Sequence, residues 1–191
     1  MNERTFHHHH AHKLEDPERK TWLPPGEVVE ALAIRAGEHV ADVGAGTGFF
    51  ALPFAAAAGA SGWVAAVDLQ PEMLALLRDK PAQPGSAVIA PVLGTALKTG
   101  LATGEFDLVF LGNVWHELDD LDAVITEAKR LLRPGGRIAI LDWRPDVAGP
   151  PGPPLEHRIP EEAVVERLRS QGMSARARHL GQYSYLVSTG A

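Results

Sequence analysis

The residues whose types and spacing bear most directly on chemistry are Asp42-Val43-Gly44-Ala45-Gly46-Thr47-Gly48, with Asp68 twenty residues after the last glycine. Glycines at alternate positions let a backbone bend tightly and approach a ligand with no side chain between them. An acidic residue after the following strand accepts both hydroxyls of a ribose, so the combination predicts an adenosine-type cofactor. The dinucleotide fingerprint Gly-x-Gly-x-x-Gly, counted from Gly44, needs glycine at position 49, and that position holds Phe49. The pyrophosphate pattern is broken, which counts against a nicotinamide-dependent oxidoreductase. Gly44, Gly46 and Gly48 preceded by Asp42 suit a zwitterionic amino-acid tail, because an ammonium needs acceptors; Asp42 is the expected one, directly or through water.

A second group of candidates lies at Asn113-Val114-Trp115-His116-Glu117, after the predicted fourth strand. His116 is the first candidate for a general base, with Glu117 beside it. The alternative is that both brace the following helix. The fifth strand ends in Asp142-Trp143-Arg144, and a loop rich in Gly and Pro leads from there to Arg158.

These positions make sense only if particular elements carry them. Apolar runs bounded by turn residues predict strands at 39–43, 62–67, 87–90, 106–111, 137–141, 175–180 and 183–189. Helical spacing predicts helices from Pro25 to a close at Gly37, and at 49–58, 71–77, 121–132 and 161–170, with a short one between Lys13 and Trp22. Arg133-Pro134-Gly135-Gly136 reads as a turn before the fifth strand. Strands alternating with helices imply a parallel sheet covered on both faces, with ligands at the carboxyl ends of the strands. Gly181-Gln182 separates the last two strands too closely for a crossover, so the final strand is antiparallel. The expected fold is a single-domain α/β, doubly wound, mostly parallel seven-stranded sheet of Rossmann-like methyltransferase type over residues 24–191. Residues 1–23 form a histidine-rich segment with a short lid helix.

The glycine turn, Val67-Asp68-Leu69-Gln70-Pro71-Glu72-Met73-Leu74, Phe106-Asp107-Leu108-Val109 and Leu131-Leu132-Arg133-Pro134-Gly135-Gly136 together resemble the class I methyltransferases, specifically the small group similar to the ubiquinone/menaquinone-biosynthesis enzymes (UbiE-like, type 11). The resemblance implies S-adenosylmethionine as cofactor and S-adenosylhomocysteine as product, with a small-molecule acceptor. It implies that Asp68 holds the ribose, that Leu69, Gln70 and Met73 flank the adenine, and that Gly44, Gly46, Gly48 and Asn113 line the rest of the cofactor. One departure stands out: where such enzymes usually carry Gly-Asp-Ala, this chain has Gly94-Thr95-Ala96, so Thr95 offers the adenine amino group only an uncharged acceptor. That departure keeps a non-catalytic cofactor-binding protein as the alternative. The segment from His12 to Arg19, together with Asp142-Trp143 and the Gly-Pro loop, resembles a subgroup in which an N-terminal lid places His12, Trp22, Trp115, Trp143 and Arg158 near the substrate; plain packing is the competing role for Trp22 and Trp143.

Composition narrows the alternatives. The chain has 191 residues, 45% hydrophobic and 22% charged, which suits one ordinary globular domain. It has no cysteine, so disulfides, thiolate metal sites and a cysteine nucleophile are excluded. A formal net charge of -6 disfavours a nucleic-acid partner. No run reaches the ~20 apolar residues of a membrane span, so a cytoplasmic protein is expected. The tract His7 to His10 with His12 reads as a biased segment of adventitious metal affinity, and no metal site is assigned to it, because adjacent residues seldom all face one ion. Apolar residues near the N-terminus would serve a lid or a homodimer equally.

Overall fold

The last four residues of β1 (His39–Val43) are all buried, as a central strand of a sheet covered on both faces requires. The computed structural model, which describes residues 6–81, 83–149 and 152–190, places β1 between β2 (Trp63–Asp68) and β4 (Phe106–Gly112), parallel to both. The sheet runs on through β3 (Val88–Leu93) at one edge and through β5 (Leu132–Trp143), β7 (Ser184–Thr189) and β6 (Ala175–Leu180) at the other, in the order β3-β2-β1-β4-β5-β7-β6. β7 is antiparallel to both of its neighbours. Strand order reverses direction at β1, so a crevice opens between the carboxyl ends of β1 and β4, where ligands of such sheets bind.

Alternation along the strands divides the core. Val40 faces α3 (Pro25–Leu32) and α4 (Ala51–Ala58) through Val28, Leu32, Phe54 and Ala55. Ala41 and Val43 face the opposite layer, formed by α6 (Leu121–Leu131) and α7 (Glu161–Ser170) through Val124, Ile125, Ala128 and Leu168. α5 (Pro71–Arg78) follows β2 and opens on Pro71, whose fixed φ suits a first turn.

Four predicted elements differ by more than two residues. α3 ends at Leu32, with Ala33 in the left-handed region at φ 48°, and Gly37 instead makes a later turn whose N–H donates to Ala58 O at 2.8 Å. The helix expected between Lys13 and Trp22 is two single turns, α1 (Ala11–Leu14) and α2 (Arg19–Trp22), separated around Pro17 and preceded by a 3-10 turn at His8–His10. β3 extends through Pro91 to Leu93, which an edge strand tolerates because it need not donate on its open side. β5 begins at Leu132, paired with Phe106, and Arg133–Gly136 bulges before pairing resumes at Leu108 and Arg137. Among the described residues, no helix is long and apolar enough to cross a membrane.

Candidate functional site

The turn from β1 into α4 is built by glycine for two separate reasons. Gly44, Gly46 and Gly48 all sit at positive φ, 78°, 54° and 86°. Side chains also crowd the turn from outside: a Cβ on Gly44 would lie 2.9 Å from Val114 Cγ2, and one on Gly48 would collide with Leu77 Cδ1. Asp68, at the end of β2, ties this turn to its own loop. Its Oδ2 accepts the Gly46 N–H at 2.7 Å and its Oδ1 accepts the Gln70 N–H at 2.9 Å. Burial pushes the Asp68 carboxyl up, and the N–H groups of Gln70, Gly46 and Leu69 act against that rise.

Beneath the turn, Asp42 is 1% exposed. Burial, with the charge of Asp68 next, raises its carboxyl to about 7, against the opposing pull of the Ala51 N–H and the Arg19 guanidinium. Its Oδ2 has no hydrogen-bond partner among the described residues, and neither does the side-chain oxygen or nitrogen of Asn113, which follows β4 at φ 56°. Buried polar atoms left unpaired cost roughly 1–3 kcal/mol each, and a ligand that supplies the partner is one way to recover that cost. An acceptor beneath the turn and an amide across the crevice suit the ammonium and carboxylate of an amino-acid tail, and Asp68, at the end of β2, is a further carboxylate beside them. Arg19 completes this layer. It is buried, its guanidinium lies 3.9 Å over the Phe49 ring, and burial pulls it down to about 10.

The N-terminal strap crosses the crevice and is bolted to both sides. Phe6 N–H donates to Glu117 Oε2 at 3.0 Å, Gln70 Nε2 donates to Phe6 O at 2.8 Å, and His8 N–H donates to Gln70 Oε1 at 2.8 Å. Farther along, Glu15 accepts from the Thr47 hydroxyl and from Lys80 Nζ, the latter at 2.7 Å, and Lys80 also donates to Thr47 O at 2.6 Å. Leu14 lies against Gly46, where a Cβ would come within 3.3 Å of its Cδ1.

At the other rim stands a buried pair. His116 Nδ1 lies 2.8 Å from Asp142 Oδ1, and the His116 backbone N–H donates to Asp142 Oδ2 at 2.9 Å. The Trp143 N–H also donates to Asp142 Oδ1 at 2.9 Å. With Asp142 accepting from Nδ1–H, the ring presents Nε2, which is 3.9 Å from Glu117 Oε1. Burial alone would lower the imidazole, but the Asp142 charge and hydrogen bond, with Glu117 behind them, outweigh it and hold the group above its usual value. Burial raises the neighbouring Glu117 carboxyl to about 7.

The other expected site residues divide. Gln70 and Met73 are buried, Leu69 is 42% exposed, and Thr95 is exposed with its hydroxyl accepting the Lys98 N–H. Trp22, Trp143 and Arg158 come together, with the two rings 5.3 Å apart and the guanidinium 5.4 Å from the Trp143 ring. Arg158, expected near the substrate, donates to the carbonyls of Pro153, Arg144 and Val147 and so braces the Gly-Pro loop. Trp115, also expected near the substrate, is 1% exposed and packed in the α6/α7 layer, and its Nε1 has no hydrogen-bond partner among the described residues. His12 is exposed on the strap. Position 151 and part of the Gly-Pro loop at 150 lie outside the described residues. Two residues not singled out from sequence are Asp142 as the partner of His116 and Arg19 as the cation under the turn. Adjacency of β4 and β5 in a doubly wound sheet was the available signal for the first.

Residues 41–140 match a family profile described as "Methyltransferase domain". The chain belongs to that family. It is 33% identical over 117 residues to the ubiquinone/menaquinone biosynthesis C-methyltransferase UbiE of Cupriavidus metallidurans, covering 59% of this chain and 47% of that one. It is 27% identical over 133 residues to the demethylmenaquinone methyltransferase of Bacillus velezensis, covering 69% and 56%. The chain thus spans about half the length of the curated relatives it matches. Among solved structures, a SAM-dependent methyltransferase from Aquifex aeolicus superposes with a TM-score of 0.89 at 28% identity, covering 97% of this chain and 98% of that one. The family and the sheet order agree with the fold expected from the sequence.

Proposed function

We propose that this protein transfers a methyl group from S-adenosylmethionine to a small-molecule acceptor that must lose a proton, of the hydroxylated or quinol-like aromatic class that the names of its relatives suggest. The observation that carries the reading is the pairing of Asp68 on the Gly46 N–H with an unpartnered, buried Asp42 Oδ2 beneath the same turn. When bound, the cofactor supplies a sulfonium-activated methyl group, already a strong electrophile, so the protein's task is alignment and exclusion of water. Asp68 takes the ribose hydroxyls. Gly44, Gly46 and Gly48 line the amino-acid tail, with Asp42 and Asn113 meeting its polar ends. Leu69, Gln70 and Met73 flank the adenine, and Thr95 accepts its amino group. His116 removes the acceptor's proton through Nε2 while Asp142 holds the ring, and Glu117 stands beside the same nitrogen. Residues 6–23 act as a lid whose bonds to Gln70 and Glu117 open to admit ligand.

The test is transfer of labelled methyl from S-adenosylmethionine to a panel of hydroxylated aromatics and quinols, by the wild-type protein and by His116→Ala. Label in an organic product, reduced at least a hundredfold in the variant with cofactor binding intact, supports the reading. Transfer at wild-type rate in His116→Ala removes the base from the mechanism. Cofactor binding without transfer to any acceptor favours a binding protein.

A further inference from the structure

We propose that His7, His8 and His9 form a site for one divalent transition-metal ion of the Zn2+ class, and that this ion fastens the N-terminal strap across the crevice. A tract of adjacent histidines in regular backbone points its rings in different directions. Here the chain bends, because His7 is extended at φ -93°, ψ 140° and the 3-10 turn begins at His8. The bend gathers the rings. Their centroids lie 4.5 Å apart for His7 and His8, 4.6 Å for His7 and His9, and 4.2 Å for His8 and His9. One ligand atom from each ring lies within 4.8 Å of the others. Tetrahedral zinc with nitrogens at about 2.0–2.1 Å brings its ligand atoms to about 3.4 Å from one another, so binding an ion requires the rings to turn, with His7 and His9 leaving their near-parallel stack of 6° to aim at one point.

Two further observations distinguish this arrangement from a loose histidine tract. His8 is already oriented from behind: its Nδ1 lies 3.2 Å from Gln70 Oε1 and 3.9 Å from Glu72 Oε2. An outer acceptor on one ring nitrogen fixes the tautomer and leaves Nε2 to the metal, which is the usual surrounding of a zinc-bound histidine. His7 supplies the other observation, since its Nδ1 is buried and has no hydrogen-bond partner among the described residues. His9 is exposed, so an ion and a water as fourth ligand can reach the site. Three imidazoles suit Zn2+, Ni2+ or Cu2+ and disfavour Mg2+ and Ca2+, which prefer oxygen ligands.

The site is coupled to the crevice through Gln70. The same side chain that backs His8 also receives the His8 N–H and donates to Phe6 O, and the Gln70 backbone N–H is held by Asp68 Oδ1. An ion on the three imidazoles therefore holds the strap closed over Asp68. This inference does not depend on methyl transfer, because both of its readouts are taken without cofactor or acceptor.

The experiment uses the full chain with no added histidine tag, stripped with EDTA and titrated with ZnCl2 by calorimetry, with amide hydrogen exchange followed in parallel. The expected result is one ion per chain and slowed exchange at the Phe6 and His8 amides. Gln70→Leu should weaken Zn2+ binding by about tenfold to a hundredfold, the usual cost of losing an outer-shell partner. His7→Ala/His9→Ala, which alters only the strap and leaves the core untouched, should abolish both the stoichiometric binding and the slowed exchange. Unchanged affinity in a folded Gln70→Leu variant would mean a free tract binding metal independently of the crevice, and the proposal fails. Several ions per chain, or stoichiometric binding that survives the double variant, overturns it equally.

Discussion

Replacing Asp142 with asparagine changes one charge and one acceptor while keeping the shape of the side chain, so its effects can be followed atom by atom. In the native protein Asp142 Oδ1 accepts from His116 Nδ1 and from the Trp143 N–H, and Oδ2 accepts the His116 N–H. Asparagine must turn its amide nitrogen toward one of these donors. If the nitrogen takes the Oδ2 position, the His116 N–H is left buried and opposed by another donor, at a cost of about 1–3 kcal/mol. The opposite flip leaves the Trp143 N–H unmatched instead and makes His116 Nδ1 an acceptor by a change of tautomer, so either arrangement strands one buried donor. The charge contributes separately. His116 is held above its ordinary value because Asp142 and Glu117 outweigh its burial. Its native value therefore exceeds its unfolded one, and the pair stabilises the fold fully below the unfolded value, losing that contribution as pH rises through the native one. In Asp142→Asn the imidazole should titrate at lower pH than in the wild type, since burial remains and the largest opposing charge is gone. Urea unfolding at neutral pH should show a loss of about 1–3 kcal/mol. NMR titration of the imidazole signals is the direct assay. If His116 titrates at the same pH in both proteins, Asp142 does not set its protonation, and the orienting role assigned to it is wrong.

Further outcomes concern the cofactor side. Asp42 stands at about 7 in the fold against an ordinary 3.8, so keeping it ionised costs about 4 kcal/mol and the wild type loses that stability as pH rises from about 4 to about 7. Asp42→Asn should therefore be more stable than wild type at pH 8, with a gain that shrinks as pH falls toward 4, while binding S-adenosylhomocysteine more weakly; denaturant melts at the two pH values and calorimetry check both. Asp68→Ala should weaken S-adenosylhomocysteine binding by roughly 1–3 kcal/mol in calorimetric titration, because it removes a charged hydrogen-bond acceptor. Gly48→Ala combines positive φ with a collision against Leu77 and should destabilise the fold by about 1–3 kcal/mol in urea unfolding.

The order of elements was readable because each central strand is mostly apolar and each crossover helix starts at a recognisable break. His39–Val43 and Ala175–Leu180 match their predicted spans residue for residue. What sequence did not show was set by partners distant along the chain. Gly135 and Gly136 signal a turn, yet they sit in a bulge of β5, because Leu132 finds Phe106 to pair with. Gly37 looks like the natural end of α3, but Ala33 takes the left-handed position four residues earlier. Asp68 was legible from its distance to the glycine turn. Asp142 was not, because its role depends on the β5 tip lying beside the segment after β4, a pairing that no local pattern encodes. The burial of Trp115 and the carbonyls around the Arg158 guanidinium likewise leave no trace in the order of residues.

The central claim is that the crevice between β1 and β4 binds an adenosyl group carrying an amino-acid tail. Calorimetric titration of the purified protein with S-adenosylhomocysteine tests it most directly, with NAD as control and with the titration repeated near pH 7 in buffers of different ionisation enthalpy. The account predicts saturable one-to-one binding of the sulfur nucleoside, none of NAD, and proton release on binding as the ammonium draws Asp42 into its ionised form. Binding of NAD in place of S-adenosylhomocysteine, or of neither, would contradict it.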